Sequence, residues 1–199
     1  MKIPADATSL TLLLKINQNA PAREMAWRDF YELYAPIISG FARRMGARQQ
    51  DVADIVQDVM AGFFSASPQF VYDPLKGRFR GYLKTCTWRL FRKRMGNAML
   101  ANERSLDHAY PPDVVAEEAW NDVWETEKLQ RAMAIVRDRY LGRPDKMKTF
   151  RAFELYVLLE RDADGVSKEL AMPVASVHQA KTRVSKAIRA EMDSMEELA

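Results

Sequence analysis

The sequence predicts an all-α protein of two small helical domains joined by an acidic linker. Three observations carry this prediction. Apolar residues recur at spacings of three and four over most of the chain, the signature of amphipathic helices. Gly and Pro number only 8 and 9 among 199 residues, too few for a fold built on many strands and turns. No stretch shows sustained two-residue alternation, and one region, 97–127, breaks the texture with a Pro pair and then an acidic run. The predicted boundaries are 8–96 for the first domain, 97–127 for the linker and 128–192 for the second domain.

Residues 8–46 read as two helices. Thr8 and Ser9 are candidate caps for the first. Trp27, Phe30, Tyr31, Tyr34, Ile37, Ile38 and Phe41 give the second its apolar side, Pro36 is expected to bend or divide it, and Gly46 to stop it. The stretch DVADIVQDVMAGFF places Val52, Ile55, Val56, Val59, Met60, Phe63 and Phe64 on one helical stripe. Pro68, Pro74 and Gly77 then mark a loop, after which FRGYLKTCTWRLFRKRM resumes helical spacing up to Gly96. A helix is expected to start inside the second half of the linker, with helical patterns over 118–141 and 145–163. The chain closes on VSKELAMPVASVHQAKTRVSKAI, two short helical runs around a break at AMPVA.

Charge is more informative in its distribution than in its sum. The formal net charge of +3 is only mildly basic. Asp51, Asp54 and Asp58 lie within about 60° of one another on a helical wheel, away from the apolar stripe and bordered by Gln57. Asp51 and Asp54 can serve the helix N-terminus, but Asp58 lies two turns in. Such a face suits a basic protein surface and not DNA. Between Lys76 and Arg94, by contrast, there are eight cations and no acid: Lys76, Arg78, Arg80, Lys84, Arg89, Arg92, Lys93 and Arg94. Phe79, Tyr82, Trp88 and Phe91 are interleaved with them. Cations that follow a backbone and rings that stack on bases are what a splayed single strand requires. Phe79, Leu83, Leu90 and Phe91 also fit a plain core role.

In the last run, Val177, Ala180, Val184, Ala187 and Ile188 form one face. Ala175, His178, Gln179, Thr182, Arg183, Lys186 and Arg189 form the other. Two helices joined by a three- or four-residue turn, the second basic on its outer side, match the geometry of a helix-turn-helix. Arg183, Lys186 and Arg189 can neutralise phosphates, while His178, Gln179 and Thr182 can reach base edges. The competing reading is a solvated face whose cations favour a helix C-terminus.

Other classes find little support. One cysteine, Cys86, permits neither an intramolecular disulfide nor a cysteine metal cluster, and His108 and His178 lack ligand spacing. The apolar run LTLLL is too short for a signal segment or a membrane span, so the cytoplasm is the expected location. Asp51 with Asp54, or Glu117 with Glu118, could be read as catalytic carboxylate pairs. Neither has a histidine nearby and no phosphate loop is present, so no catalytic residue, metal, cofactor or small-molecule substrate is assigned. Cys86 reads as a core thiol before a redox sensor.

Taken in order, these features resemble the sigma-70 family of bacterial RNA polymerase sigma factors, specifically its compact extracytoplasmic-function group. DVADIVQDVMAGFF is similar to the region-2 helix that docks on the clamp helices of the polymerase largest subunit, which implies core-polymerase binding by Asp51, Asp54, Gln57 and Asp58. FVYDPLKGRFRGYLKTCTWRLFRKRM is similar to the loop and helix that melt and read the −10 element. That resemblance assigns −10 contacts to Lys76, Arg78, Phe79, Arg80, Tyr82, Lys84, Trp88, Arg89 and Arg92. VSKELAMPVASVHQAKTRVSKAIRAEM resembles the region-4 helix-turn-helix, implying −35 contacts by Ser176, His178, Gln179, Thr182, Arg183, Lys186 and Arg189. The acidic stretch 113–127 resembles the linker that threads toward the polymerase active-site and RNA-exit channels. Trp88-Arg89 stand where the family commonly has Arg-Asn. Ser167, Ala171 and Pro173 replace the usual small residue, Gly and Ser of the turn. The implied partners are core polymerase, through clamp helices and β flap, and promoter DNA. Many relatives are held by an anti-sigma factor, and nothing in this sequence identifies one. The alternatives are a stand-alone helix-turn-helix regulator and a protein-binding helical adaptor, which leave the basic-aromatic segment idle.

Overall fold

The computed structural model describes residues 9–16, 21–69, 79–101 and 113–196. Every regular element among them is helical, as the sequence predicts, with no strand. They are α1 (Ser9–Ile16), α2 (Ala22–Arg44), α3 (Gln49–Ala66), α4 (Phe79–Ala101), α5 (Asp113–Leu141), α6 (Pro144–Phe153), α7 (Ala163–Leu170) and α8 (Val174–Glu196). The chain divides into two compact units, Met1–Glu127 and Lys128–Glu197. The division falls inside α5, so each half of that helix is described with the unit it packs in.

The first unit gathers α1 to α4 around an aromatic centre. Phe30 stacks on Phe63 at 4.9 Å, and Phe79 meets both, with Tyr34 beside it. The stripe of α3 is buried from Val52 to Phe63, as its spacing demands, but Phe64 stays half-exposed against Trp27 under the Arg23 guanidinium. Helix α2 runs unbroken through Pro36. The proline faces outward while Ile37 and Ile38 anchor the turn in the core, and Ser39 Oγ donates to the Pro36 carbonyl at 3.0 Å. Gly46 takes φ +92° and ends the helix region, a conformation that favours glycine. Gly96 does not end α4, which continues to Ala101. A glycine in a helix interior costs only about 1 kcal/mol relative to alanine and stops nothing unless the chain turns left-handed there.

The helix expected to start inside the second half of the linker begins at Asp113 and is packed rather than free. Residues 113–127 form the first half of α5 and pack as a helix in the first unit. Ala116, Ala119, Trp120 and Val123, at i, i+3, i+4 and i+7, are buried in that unit's core. Residues 102–112 of the expected linker lie outside the described residues.

The second unit holds the rest of α5 with α6, α7 and α8. Ala132 and Val136 pack with Phe150, Phe153, Val184 and Ile188, and a neighbouring cluster joins Ala152, Leu155, Val166, Val177 and Ala180. The helix expected over 145–163 is shorter. After α6 a single π turn covers Glu154–Leu158, and Glu160 reverses the chain at φ +51°. Asp162 then caps α7, its Oδ1 accepting from the Gly165 N–H at 2.7 Å.

Candidate nucleic-acid and polymerase surfaces

The acidic face of α3 has an intrachain counter-charge. Arg94, four turns along α4, donates to Asp58 Oδ2 at 2.7 Å and also pairs with Asp54. Asp51 pairs with Arg48 at 3.0 Å across the start of α3, and Gln57 is exposed. The three aspartates therefore do not present a bare negative surface. Arg94 neutralises the inner two while leaving them half-exposed. Ion pairs this exposed contribute about 1 kcal/mol or less, so another basic surface can displace them.

Helix α4 carries six cations and no acid, and the fold sorts them into three groups. Arg94 turns to α3. Arg80 and Lys84 turn to the first half of α5: Lys84 pairs with Glu117, and Arg80 donates to Asn121 Oδ1 at 2.5 Å. The Arg80 guanidinium also approaches Glu125 at 3.9 Å and lies 4.8 Å over the Trp124 ring. Arg89, Arg92 and Lys93 remain exposed.

The rings divide in the same way. Phe79, expected at the DNA surface, is instead 1% exposed and fully part of the core, because it fills the space between Phe30, Tyr34 and Phe63. Trp88 is half-buried, stacked on Phe91 at 5.5 Å and edge-on to Phe41, with the Arg92 guanidinium 5.8 Å over it. Tyr82 keeps an exposed edge. Burial, together with a side-chain hydrogen bond to Cys86, pushes its phenol up to about 12, so it remains a neutral donor at any physiological pH. A cleft of about 280 Å³ opens along the seam of α4 and α5, lined by Lys84, Thr85, Trp88, Arg89, Arg92, Ala116 and Glu117. Lys76 and Arg78 lie outside the described residues.

In the second unit α7 and α8 are joined by a turn at Ala171, which adopts φ +47° and ψ +58°. Met172 N–H donates to the Ser167 carbonyl at 3.1 Å, and Ser167 Oγ donates back to the Met172 carbonyl at 2.6 Å. Helix α8 starts cleanly after Pro173, whose carbonyl accepts from Ser176 and Val177. Val177, Ala180, Val184 and Ile188 are buried, while His178, Gln179, Thr182, Arg183, Lys186 and Arg189 are exposed on the other side. Ser176 is half-buried beside them. His178 leans edge-on against Tyr156 at 5.3 Å, which orients its ring. Arg183, Lys186 and Arg189 form no ion pair among the described residues, a row of open cations suited to phosphates.

Sequence reasoning missed two groups of contributors. Arg94, expected to be one more DNA-facing cation, is the partner of the acidic face, and Glu117, Asp122 and Glu125 are counter-charges of the first unit. The apolar spacing of Ala116, Ala119, Trp120 and Val123 was the available signal for the second. Among the described residues no group of three His, Cys, Asp or Glu is placed to hold a metal, and no helix is long and apolar enough to cross a membrane.

No curated protein matches the chain. Residues 30–98, from the middle of α2 to near the end of α4, match the sigma-70 region 2 family.

Proposed function

We propose that the chain is a dissociable initiation factor of the extracytoplasmic-function type, acting in the cytoplasm, that carries core RNA polymerase to −10 and −35 promoter elements and assists strand opening. The observation that carries the reading is the cationic, aromatic-bearing helix α4 inside the stretch that matches sigma-70 region 2. Asp51, Asp54, Gln57 and Asp58 dock to the largest-subunit clamp helices, taking the place of Arg94 as counter-charge. Arg89 and Arg92 hold the backbone of the −10 strand beside Trp88, with Lys76, Arg78, Arg80, Tyr82 and Lys84 completing that surface. The α7–α8 pair acts as a helix-turn-helix that lays α8 in the major groove of the −35 element, with Ser176, His178, Gln179, Thr182, Arg183, Lys186 and Arg189 in contact with DNA. Unstacking a base costs a few kcal/mol, which a weak promoter does not return. Residues 128–192 form the −35 domain and residues 8–96 the −10 domain.

Reconstituted transcription with core polymerase, followed by start-site mapping, tests this reading. The expected result is initiation that needs both proteins and falls steeply with salt as counterions are released. Asp58→Arg should reduce co-purification with core polymerase while leaving helicity unchanged. Tight, specific duplex binding by the chain alone, with no response to core polymerase, would point to a stand-alone regulator and overturn the proposal.

A further inference from the structure

The first half of α5 lies on the part of α4 that the proposed function gives to DNA, and the regulation inferred here rests on that reading. Its apolar stripe is flanked by acids that reach both neighbouring helices. On one edge Glu117, Asn121 and Glu125 meet Lys84 and Arg80 of α4; on the other, Asp122 meets Arg44 of α2 at 2.5 Å. Residues 113–127 contain six acids and no cation. Carboxylates thus stand where phosphates would stand, and Trp124 lies under the Arg80 guanidinium where a base would stack.

The seat is made for a helix that can leave. The carboxylate of each ion pair is about half-exposed, so solvent screens the pairs, and two of the four buried stripe residues are alanines. Trp120 is buried with its indole N–H unpaired among the described residues, a cost that undocking relieves. Val123 rests over Gly40 of α2, in a notch that exists because Gly40 has no side chain: a Cβ there would come within 2.9 Å of Val123 Cγ1.

We propose that residues 113–127 form an intramolecular mask, a helix whose carboxylates occupy Arg80 and Lys84 and which must undock before that ridge of α4 can take a DNA strand. The exposed Arg89 and Arg92 remain as the landing point while the mask is closed. The apparent DNA affinity of the free chain is the open-state affinity multiplied by the fraction of molecules that are open.

The test measures binding of the full-length chain to a short labelled single-stranded oligonucleotide of mixed sequence by fluorescence anisotropy. Glu117→Gln with Glu125→Gln should tighten binding about tenfold, as the open population rises. Glu117→Gln alone should tighten binding several-fold, whereas Glu118→Gln, the same single charge change on the outward side of the same helix, should not, which separates masking from net charge. Gly40→Leu, which changes no charge and wedges Val123 outward, should tighten binding similarly. The gain from Glu117→Gln should vanish in a Lys84→Gln background, the coupling expected of direct partners. Equal gains from Glu117→Gln and Glu118→Gln would overturn the mask, as would unchanged binding by Gly40→Leu when proteolysis shows α5 released. Should Gly40→Leu fail to fold, the charge variants and their Glu118 control decide alone. Binding that depends on Arg89 and Arg92 but ignores every α5 change sinks only the mask. Absence of binding by all variants sinks the DNA role of α4 and the mask with it.

Discussion

Helices α4 and α8 each carry a row of Lys and Arg, yet the two rows are kept in opposite states. Along α8 the outer residues Arg183, Lys186 and Arg189 stand open, backed by a continuous buried stripe from Val177 to Ile188. Along α4 half of the cations are held by neighbouring helices: Arg94 by Asp54 and Asp58, Lys84 by Glu117, and Arg80 by Asn121 and Glu125. The difference teaches that a count of basic residues does not measure readiness for a polyanion. A cation already holding a carboxylate must exchange one anion for another, so its net gain is small. An open cation releases counterions and gains fully.

The sharpest way to break the comparison is to remove one cation from each helix. Arg183→Ala removes an open phosphate contact and should weaken promoter binding about equally whatever the −35 sequence. Measured as transcription from templates with intact and scrambled −35 elements, the variant should lose output on both while keeping the wild type's ratio between them. Undiminished output from both templates would remove Arg183 from that role. Salt dependence sharpens the contrast. Lys186→Ala should lower the slope of log affinity against log salt by about one unit, whereas Lys84→Ala in the free chain should barely change it. Equal slopes for the two variants would mean that Lys84 is as available as Lys186 despite its partner.

The pattern of what the sequence disclosed follows from the range of each interaction. The stripes of α3 and α8 were legible because amphipathic burial repeats every turn and needs no knowledge of the partner. The left-handed stop at Gly46 was legible for the same local reason. Arg94 and its aspartates were not, since 36 and 40 residues separate them and only the packing of α4 on α3 brings them together. Phe79 was ambiguous until Phe30, Tyr34 and Phe63 were seen to surround it. The reading of 113–127 placed a helix start inside the linker but gave its acids more weight than the apolar spacing of Ala116, Ala119, Trp120 and Val123. Charge density and amphipathic spacing were both present there, and burial decided between them.

A smaller effect separates the two units by stability. Asp162 is the one side chain that closes the N-terminus of α7, so Asp162→Ala should cost about 1 kcal/mol. All four tryptophans, Trp27, Trp88, Trp120 and Trp124, lie in the first unit. Their fluorescence should report no change, while amide hydrogen exchange in α7 and α8 should accelerate. A shift in tryptophan signal would show that the cap's influence reaches past its own unit.

The smallest expected effect is at Ala171, the left-handed residue between α7 and α8. The hydrogen bonds from Ala171 N–H to Lys168 and from Met172 N–H to Ser167 hold the turn, so the backbone cannot relax away from φ +47°. An L-residue with a Cβ loses about 1–2 kcal/mol in that region. Glycine removes the clash but gives the unfolded chain more freedom, which returns about 0.4–1 kcal/mol of the gain. Ala171→Gly should therefore slow exchange of the α7 and α8 amides by an amount equivalent to about 0.5–1 kcal/mol, with DNA affinity unchanged because the residue is not among the proposed contacts. Faster exchange in the glycine variant would mean that the Cβ makes a contact worth more than the strain it causes, and the open geometry of α8 would then depend on that methyl group.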